Sequence, residues 1–171
     1  MFLNTQVDID NLPGIEEIRL KSISKKYLKI IIINRISLFL VLFVVLLIMT
    51  WFMDDKTPQN LLLYGFVILT VFLILNLTIG LLAFKKRKYA IRDHDVVYAK
   101  GLIINSLTTV PISRIQHIEE NRSWLARQFG LATLKIFTAG ESGSDLSIHG
   151  LPKDDAKKIH DYISTKVNGS I

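Results

Sequence analysis

The chain has 171 residues, half of them apolar, with a net charge of +6 and no cysteine. Its mean hydropathy is +0.36. Disulfides and thiolate metal sites are excluded, and one domain is expected at this length. A soluble domain of this size would sit below zero in mean hydropathy, so part of the chain belongs to a membrane.

The elements follow in chain order. Residues 1–29 form a polar N-terminal segment. The apolar run Ile36–Met53 then continues for 18 residues without a charge, and Leu61–Phe84 adds 24 more. A bilayer core takes roughly 20 apolar residues as helix, so spans are expected at about 30–53 and 61–84. Neither run shows the recurring polar face of a soluble helix. The first run starts about thirty residues in and lacks a small-residue cleavage site, so it reads as a signal anchor and not as a cleaved leader.

Charge sets the topology. Arg19, Lys21, Lys25, Lys26, Lys29 and Arg35 stand before the first span, and Lys85, Lys86, Arg87 and Lys88 follow the second. Between the spans, residues 54–60 hold two aspartates and one lysine. The Lys/Arg excess marks cytoplasmic flanks, so both termini are expected in the cytoplasm around a tight helical hairpin. Asn76, Thr78 and Gly80 interrupt the second apolar run. They suit a hydrogen bond within the hairpin, a contact between copies, or a contact to another membrane subunit. Arg35 lies near the cytoplasmic edge, where it can snorkel. The run Lys85, Lys86, Arg87, Lys88 anchors the topology and is a candidate contact for anionic lipid.

Residues 85–171 read as a cytoplasmic domain. From residue 89 onward, ten Lys and Arg face nine acids. This near-neutral balance argues against nucleic acid, which calls for a basic face. Tyr89 and Ile91 alternate before a turn at Asp93-His94-Asp95. Val96–Ile104 is rich in β-branched residues, with a bulge or bend at Gly101. Leu107–Ile112 alternates, and Pro111 marks an edge or strand end. Ser123 is a candidate N-cap for one helical turn over Trp124–Phe129, with Gly130 just past its end. Leu134 and Ile136 alternate, a loop follows at Glu141–Ser144, and Leu146 and Ile148 alternate in the returning strand. Strands this short, with turns this frequent, suggest a barrel or sandwich. Pro152 suits the first turn of a final helix. Ala156, Ile159, Ile163 and Val167 give that helix one apolar stripe, which ends by Asn168-Gly169.

Four motifs carry a resemblance. They are Val110-Pro111-Ile112-Ser113-Arg114-Ile115-Gln116-His117-Ile118, Arg127-Gln128-Phe129-Gly130-Leu131-Ala132-Thr133-Leu134, Thr138-Ala139-Gly140 and Ile148-His149-Gly150-Leu151. In order and spacing, together with the double span before them, they resemble the bacterial pleckstrin-homology (PH)-like membrane proteins. Ile112 departs from that pattern where an aromatic is usual, as do Asn121–Trp124 where a Gly-Pro turn is common. The resemblance implies an α+β domain, a seven-stranded and partly open β-barrel capped by a C-terminal helix, behind the two-helix membrane hairpin. It implies a bacterial cell (inner) membrane. As partners it implies the lipid bilayer and a larger relative with several such domains, or a second copy.

Chemistry is sparsely signalled. His117 and Glu119 are spaced H-x-E and His160 adjoins Asp161, without the H-E-x-x-H of a zinc peptidase. The segment Glu141–Asp145 lacks G-x-S-x-G. No phosphate-cradling glycine motif is present. His94 and His149 are expected to be exposed. No catalytic, metal-binding or cofactor-binding residue is assigned, and no cofactor is expected. Two function classes follow. The first is a non-enzymatic membrane-anchored adaptor, with Arg114, Gln116, His117 and Arg127 as its candidate partner surface. The second is an accessory subunit of a membrane enzyme or transporter whose catalytic groups lie on a partner. The loop Arg92–Val96 is acidic where a phosphoinositide-reading PH loop is basic, which disfavours that route.

Overall fold

The computed structural model describes residues 18–52, 59–139 and 146–169. Two long helices come first, α1 (Lys26–Trp51) and α2 (Gln59–Lys85). A chain in hydrocarbon must satisfy every backbone polar group internally, and helix is the way a single segment does so. Only 11% and 6% of their most apolar windows are buried inside the protein. A core helix of a soluble domain would be mostly buried, so these helices face lipid.

Three contacts step along the antiparallel pair. Arg35 on α1 meets Asn76 on α2, donating to its main-chain carbonyl and, at 2.6 Å, to its side-chain Oδ1. Next, the Phe43 and Phe66 rings stack 6.0 Å apart. Farther along, Leu46 packs on Gly65 at 3.5 Å. Arg35 was expected to snorkel toward water; it is instead held across the hairpin. Gly80 leaves the room, since a Cβ there would sit 2.6 Å from the Arg35 guanidinium carbon. Thr78 turns inward on its own helix and donates to the Ile74 carbonyl at 2.6 Å.

Among the described residues, the domain has seven strands in two antiparallel sheets that do not close into a barrel. The first sheet runs in order through β1 (Lys21–Ser22), β2 (Lys88–Ile91), β3 (Asp95–Lys100) and β4 (Ser106–Pro111). The second holds β5 (Ile115–Asn121), β6 (Leu131–Thr138) and β7 (Leu146–Pro152). A 3-10 turn, Ile112–Arg114, carries the chain from one sheet to the other. The helix α3 (Trp124–Gln128) joins β5 to β6, and α4 (Lys153–Asn168) ends the described chain.

Several local expectations change. Lys21 and Ser22 pair with Tyr89 and Lys88, and Ile23 joins the core. The domain therefore takes residues from before the hairpin as well as from 85–171. Strand β3 stops at Lys100, short of Ile104. Gly101 has φ +118°, and a Cβ there would meet the Ile104 carbonyl at 1.8 Å, so the chain turns at that point. Ser123 caps α3 as expected, its Oγ accepting from Ala126 N–H at 3.2 Å. Pro152 stands one position before α4, as its N-cap. The Glu141–Ser144 loop lies outside the described residues.

The core explains the alternation. Val96, Tyr98 and Val110 face inward from the first sheet, and Leu134, Ile136, Ile148 and Leu151 from the second. Ala156 and Ile163 of α4 are fully buried against them, with Ile159 and Val167 packed alongside. The far end of α4 is tied to the β2–β3 turn. Tyr162 Oη donates to Asp93 at 3.0 Å, and Lys166 Nζ donates to the Asp93 carbonyl at 3.1 Å.

Candidate functional site

The most built-up polar region is the joint between membrane hairpin and domain. Three residues separate β1 from α1, and two separate α2 from β2. Ser24 N–H donates to the Gly150 carbonyl at 2.9 Å. Gly150 has φ +75°, where only glycine is unstrained. A Cβ on it would lie 2.6 Å from Tyr27 Cγ. The glycine thus lets the Tyr27 ring close on β7. The corner helix α3 docks on the same stretch of α1, where Ile30, Ala126 and Leu131 are buried together with Leu125 and Phe129 beside them.

Between α1 and the second sheet lies a cleft of about 300 Å3. Tyr27, Ile30 and Asn34 form its α1 wall, and Thr133, Lys135 and His149 the sheet wall. His149 was expected to be exposed; Tyr27 covers it, the two rings stacking 6.2 Å apart and 12° from parallel. The Arg87 guanidinium sits over the same Tyr27 ring, 5.8 Å from its centre. Thr133 Oγ1 and His149 Nδ1 share a hydrogen bond at 3.2 Å. Burial lowers the His149 pKa below the ordinary 6.5, and the Arg87, Lys100 and Lys135 charges lower it further. The imidazole is therefore neutral at neutral pH.

A hydroxyl beside an imidazole is the minimum for nucleophilic catalysis, but the imidazole must be a competent base and is commonly oriented by a third group. Here the charges that act on the ring are three cations, which weaken it as a base. Ser123, the other aliphatic hydroxyl in the cleft, is engaged as the α3 cap. The lining instead offers donors, a neutral ring and an apolar floor, which suits binding.

The sequence-predicted residues are spread over both ends of the domain. Lys85, Lys86 and Lys88 are exposed, while Arg87 turns in toward Tyr27. Arg114, Gln116 and His117 are exposed at the start of β5, where the β5–β6 register shifts. Arg127 is exposed on α3, past the other end of that strand. The intervening strand is roughly 20 Å long at 3.3 Å per residue, so Arg127 does not join the other three. His117 stacks on Phe137 at 4.2 Å and lies 3.7 Å from Glu119. The ring stack is its closest aromatic contact. It is Arg122 that reaches a strand carbonyl, Leu131 O at 3.4 Å.

The Arg92–Asp95 pair, at 2.5 Å through Nε, closes the acidic turn on itself. Among the described residues, no three His, Asp or Glu side chains gather as a metal site. Sequence reasoning missed the cleft. Its clearest signals were Tyr27, where the charged flank meets the first span, and the glycine after His149.

Comparison with known proteins places this architecture. A family model described as bacterial PH domain matches residues 28–167. The UPF0699 transmembrane protein YdbS of Bacillus subtilis (strain 168) is 28% identical over 80 residues, 45% of this chain and 46% of that protein. The chain thus spans about half the length of the curated relative it matches. No solved structure matches.

Proposed function

The chain belongs to the bacterial PH domain family, and on that premise we propose a non-enzymatic, membrane-anchored binding protein, a subunit of a complex in the bacterial cell membrane. The observation that carries this reading is the double tether. Both connections between hairpin and domain are two or three residues long, and Tyr27 is seated on Gly150 between them. A domain held this way presents its surface at a fixed height above the bilayer. It is not a module on a flexible leash. In this reading both termini lie in the cytoplasm, as the basic flanks favour.

The partner surface is the start of β5, with Arg114, Gln116 and His117, beside a groove that Ser164 and Val167 of α4 also line. The partner is a larger relative with several such domains, or a second copy. Lys85, Lys86 and Lys88 contact anionic headgroups. The cleft beside His149 is the ligand seat.

The test is mass spectrometry of the tagged protein, purified gently from its native membrane. A second protein in fixed stoichiometry is expected, its recovery reduced by Arg114→Glu with His117→Ala. A homo-oligomer carrying lipid alone would remove the larger relative and leave the self-contained form. Substrate turnover by this chain alone would overturn the non-enzymatic reading.

A further inference from the structure

Lipid covers the exposed apolar side chains of α1 and α2; those of the domain need another explanation. Among its described residues, the large apolar side chains more than half exposed are Ile103 (90%), Ile104 (80%) and Trp124 (66%). Scattered single residues of this kind are ordinary on a protein surface. These three are not scattered.

The strand register locates the isoleucines. Lys88, three residues past the end of α2, pairs with Ala99 on β3. The strands β3 and β4 continue past that level to the pair Lys100–Ser106. The loop 101–105 therefore projects from the end of the sheet where the chain leaves the membrane. A second pairing agrees: Ser22, separated from α1 by three residues, pairs with Lys88 at the same end of the sheet. Trp124 is placed by other contacts. It begins α3, whose Ala126 is buried against Ile30 near the start of α1. All three side chains thus lie at the membrane end of the domain, on two different elements. Lys86, Lys88 and Lys100 are exposed around them.

We propose that the β3–β4 loop tip, through Ile103 and Ile104, and Trp124 on α3 insert into the interfacial layer of the bilayer that the hairpin spans. Trp is favoured at that depth because its ring is apolar and its N–H can stay hydrated. Two isoleucines at a turn tip supply apolar area, and the lysines around them complement anionic headgroups. The domain then rests on the membrane through contacts separate from its two tethers, which fixes its tilt as well as its height.

The experiment uses the full chain in vesicles of phosphatidylethanolamine and phosphatidylglycerol. With no native cysteine, Ile104→Cys takes one environment-sensitive fluorophore. His94→Cys, in the β2–β3 turn at the opposite end of the sheet, takes the same label as reference. The label at 104 is expected to emit to the blue of that at 94 and to be quenched by lipids carrying a nitroxide high on the acyl chain. Trp51→Phe leaves Trp124 as the sole tryptophan, and brominated lipid is expected to quench it. Replacing Ile103 and Ile104 by serine should shift Trp124 toward aqueous quenchers, on the order of tenfold per isoleucine in the seating equilibrium. Water-like emission at 104, with iodide quenching equal to that at 94, would overturn the proposal. So would a Trp124 that brominated lipid leaves unquenched. No other protein is present in these vesicles, and burial against a second copy would shield both labels from lipid-borne nitroxide and bromine, so lipid quenching separates it from insertion.

Discussion

The hairpin and the domain solve the same problem with opposite means. In the domain, Leu134, Ile136, Ile148 and Ile163 have no exposed surface, and removal from water is what holds the two sheets and α4 together. In the hairpin, Leu63, Phe72 and their neighbours are more than half uncovered by protein. Lipid covers them equally well whether the helices touch or not, so apolar area does not drive the pairing. The registration of α1 on α2 falls to particular contacts: Arg35 with Asn76, Phe43 with Phe66, and Leu46 on Gly65. An apolar side chain is therefore structural in one region and largely interchangeable in the other. A polar side chain has the reverse standing.

The largest effect expected from that contrast is in the core. Leu134→Ala should cost roughly 2–5 kcal/mol by loss of burial and the cavity left behind. Leu63→Ala on the lipid-facing side of α2 should stay within about 0.5 kcal/mol. Urea unfolding in nanodiscs, followed by near-UV circular dichroism, measures both, and equal losses would break the contrast. Next comes Asn76→Leu. It removes one Arg35 bond and should weaken helix pairing by about 1 kcal/mol, leaving the urea midpoint of the domain unchanged. Energy transfer between labelled helices during detergent-driven separation reads this, and a shift confined to the domain would refute it.

The smallest effect concerns pH at the joint. The folded His149 binds its proton less readily than the unfolded residue, because of burial and the Arg87, Lys100 and Lys135 charges. Its contribution to stability is present above 6.5 and is lost as pH falls through the lower folded value. The ring is partly exposed, so the loss is modest. His149→Gln should melt with a shallower dependence between pH 7.5 and 5.5 than the parent chain. Identical pH profiles would show that other groups set it.

The parts legible in the sequence were those with a local signal. The two spans are long uncharged runs, and α4 carries its stripe at Ala156, Ile159, Ile163 and Val167 within one element. Strand β5 was not legible as a strand. The register shift between Ile115 and His117 places its inward residues Ile115 and Ile118 three apart, where a regular strand would place them two apart. Strand β1 is two residues long and sixty-five residues separate it from its partner β2, so no local pattern marks it. The cleft was hidden for a related reason. Tyr27, Arg87, Thr133 and His149 come from four separate parts of the chain, and only the assembled joint gives them a shared environment.

The short pair of β1 with β2 has a consequence for how the chain is made. Lys21 and Ser22 leave the ribosome before the hairpin, and their partners Tyr89 and Lys88 after it. The first sheet can be completed only when the chain has crossed the bilayer twice and returned to the side from which it started. A molecule in which one helix failed to insert would hold β1 and β2 on opposite faces of the membrane. Ile23 would then be missing from the core, and Tyr27 could not reach Gly150. The strand pair thus ties folding to threading: a chain threaded incorrectly cannot complete its first sheet.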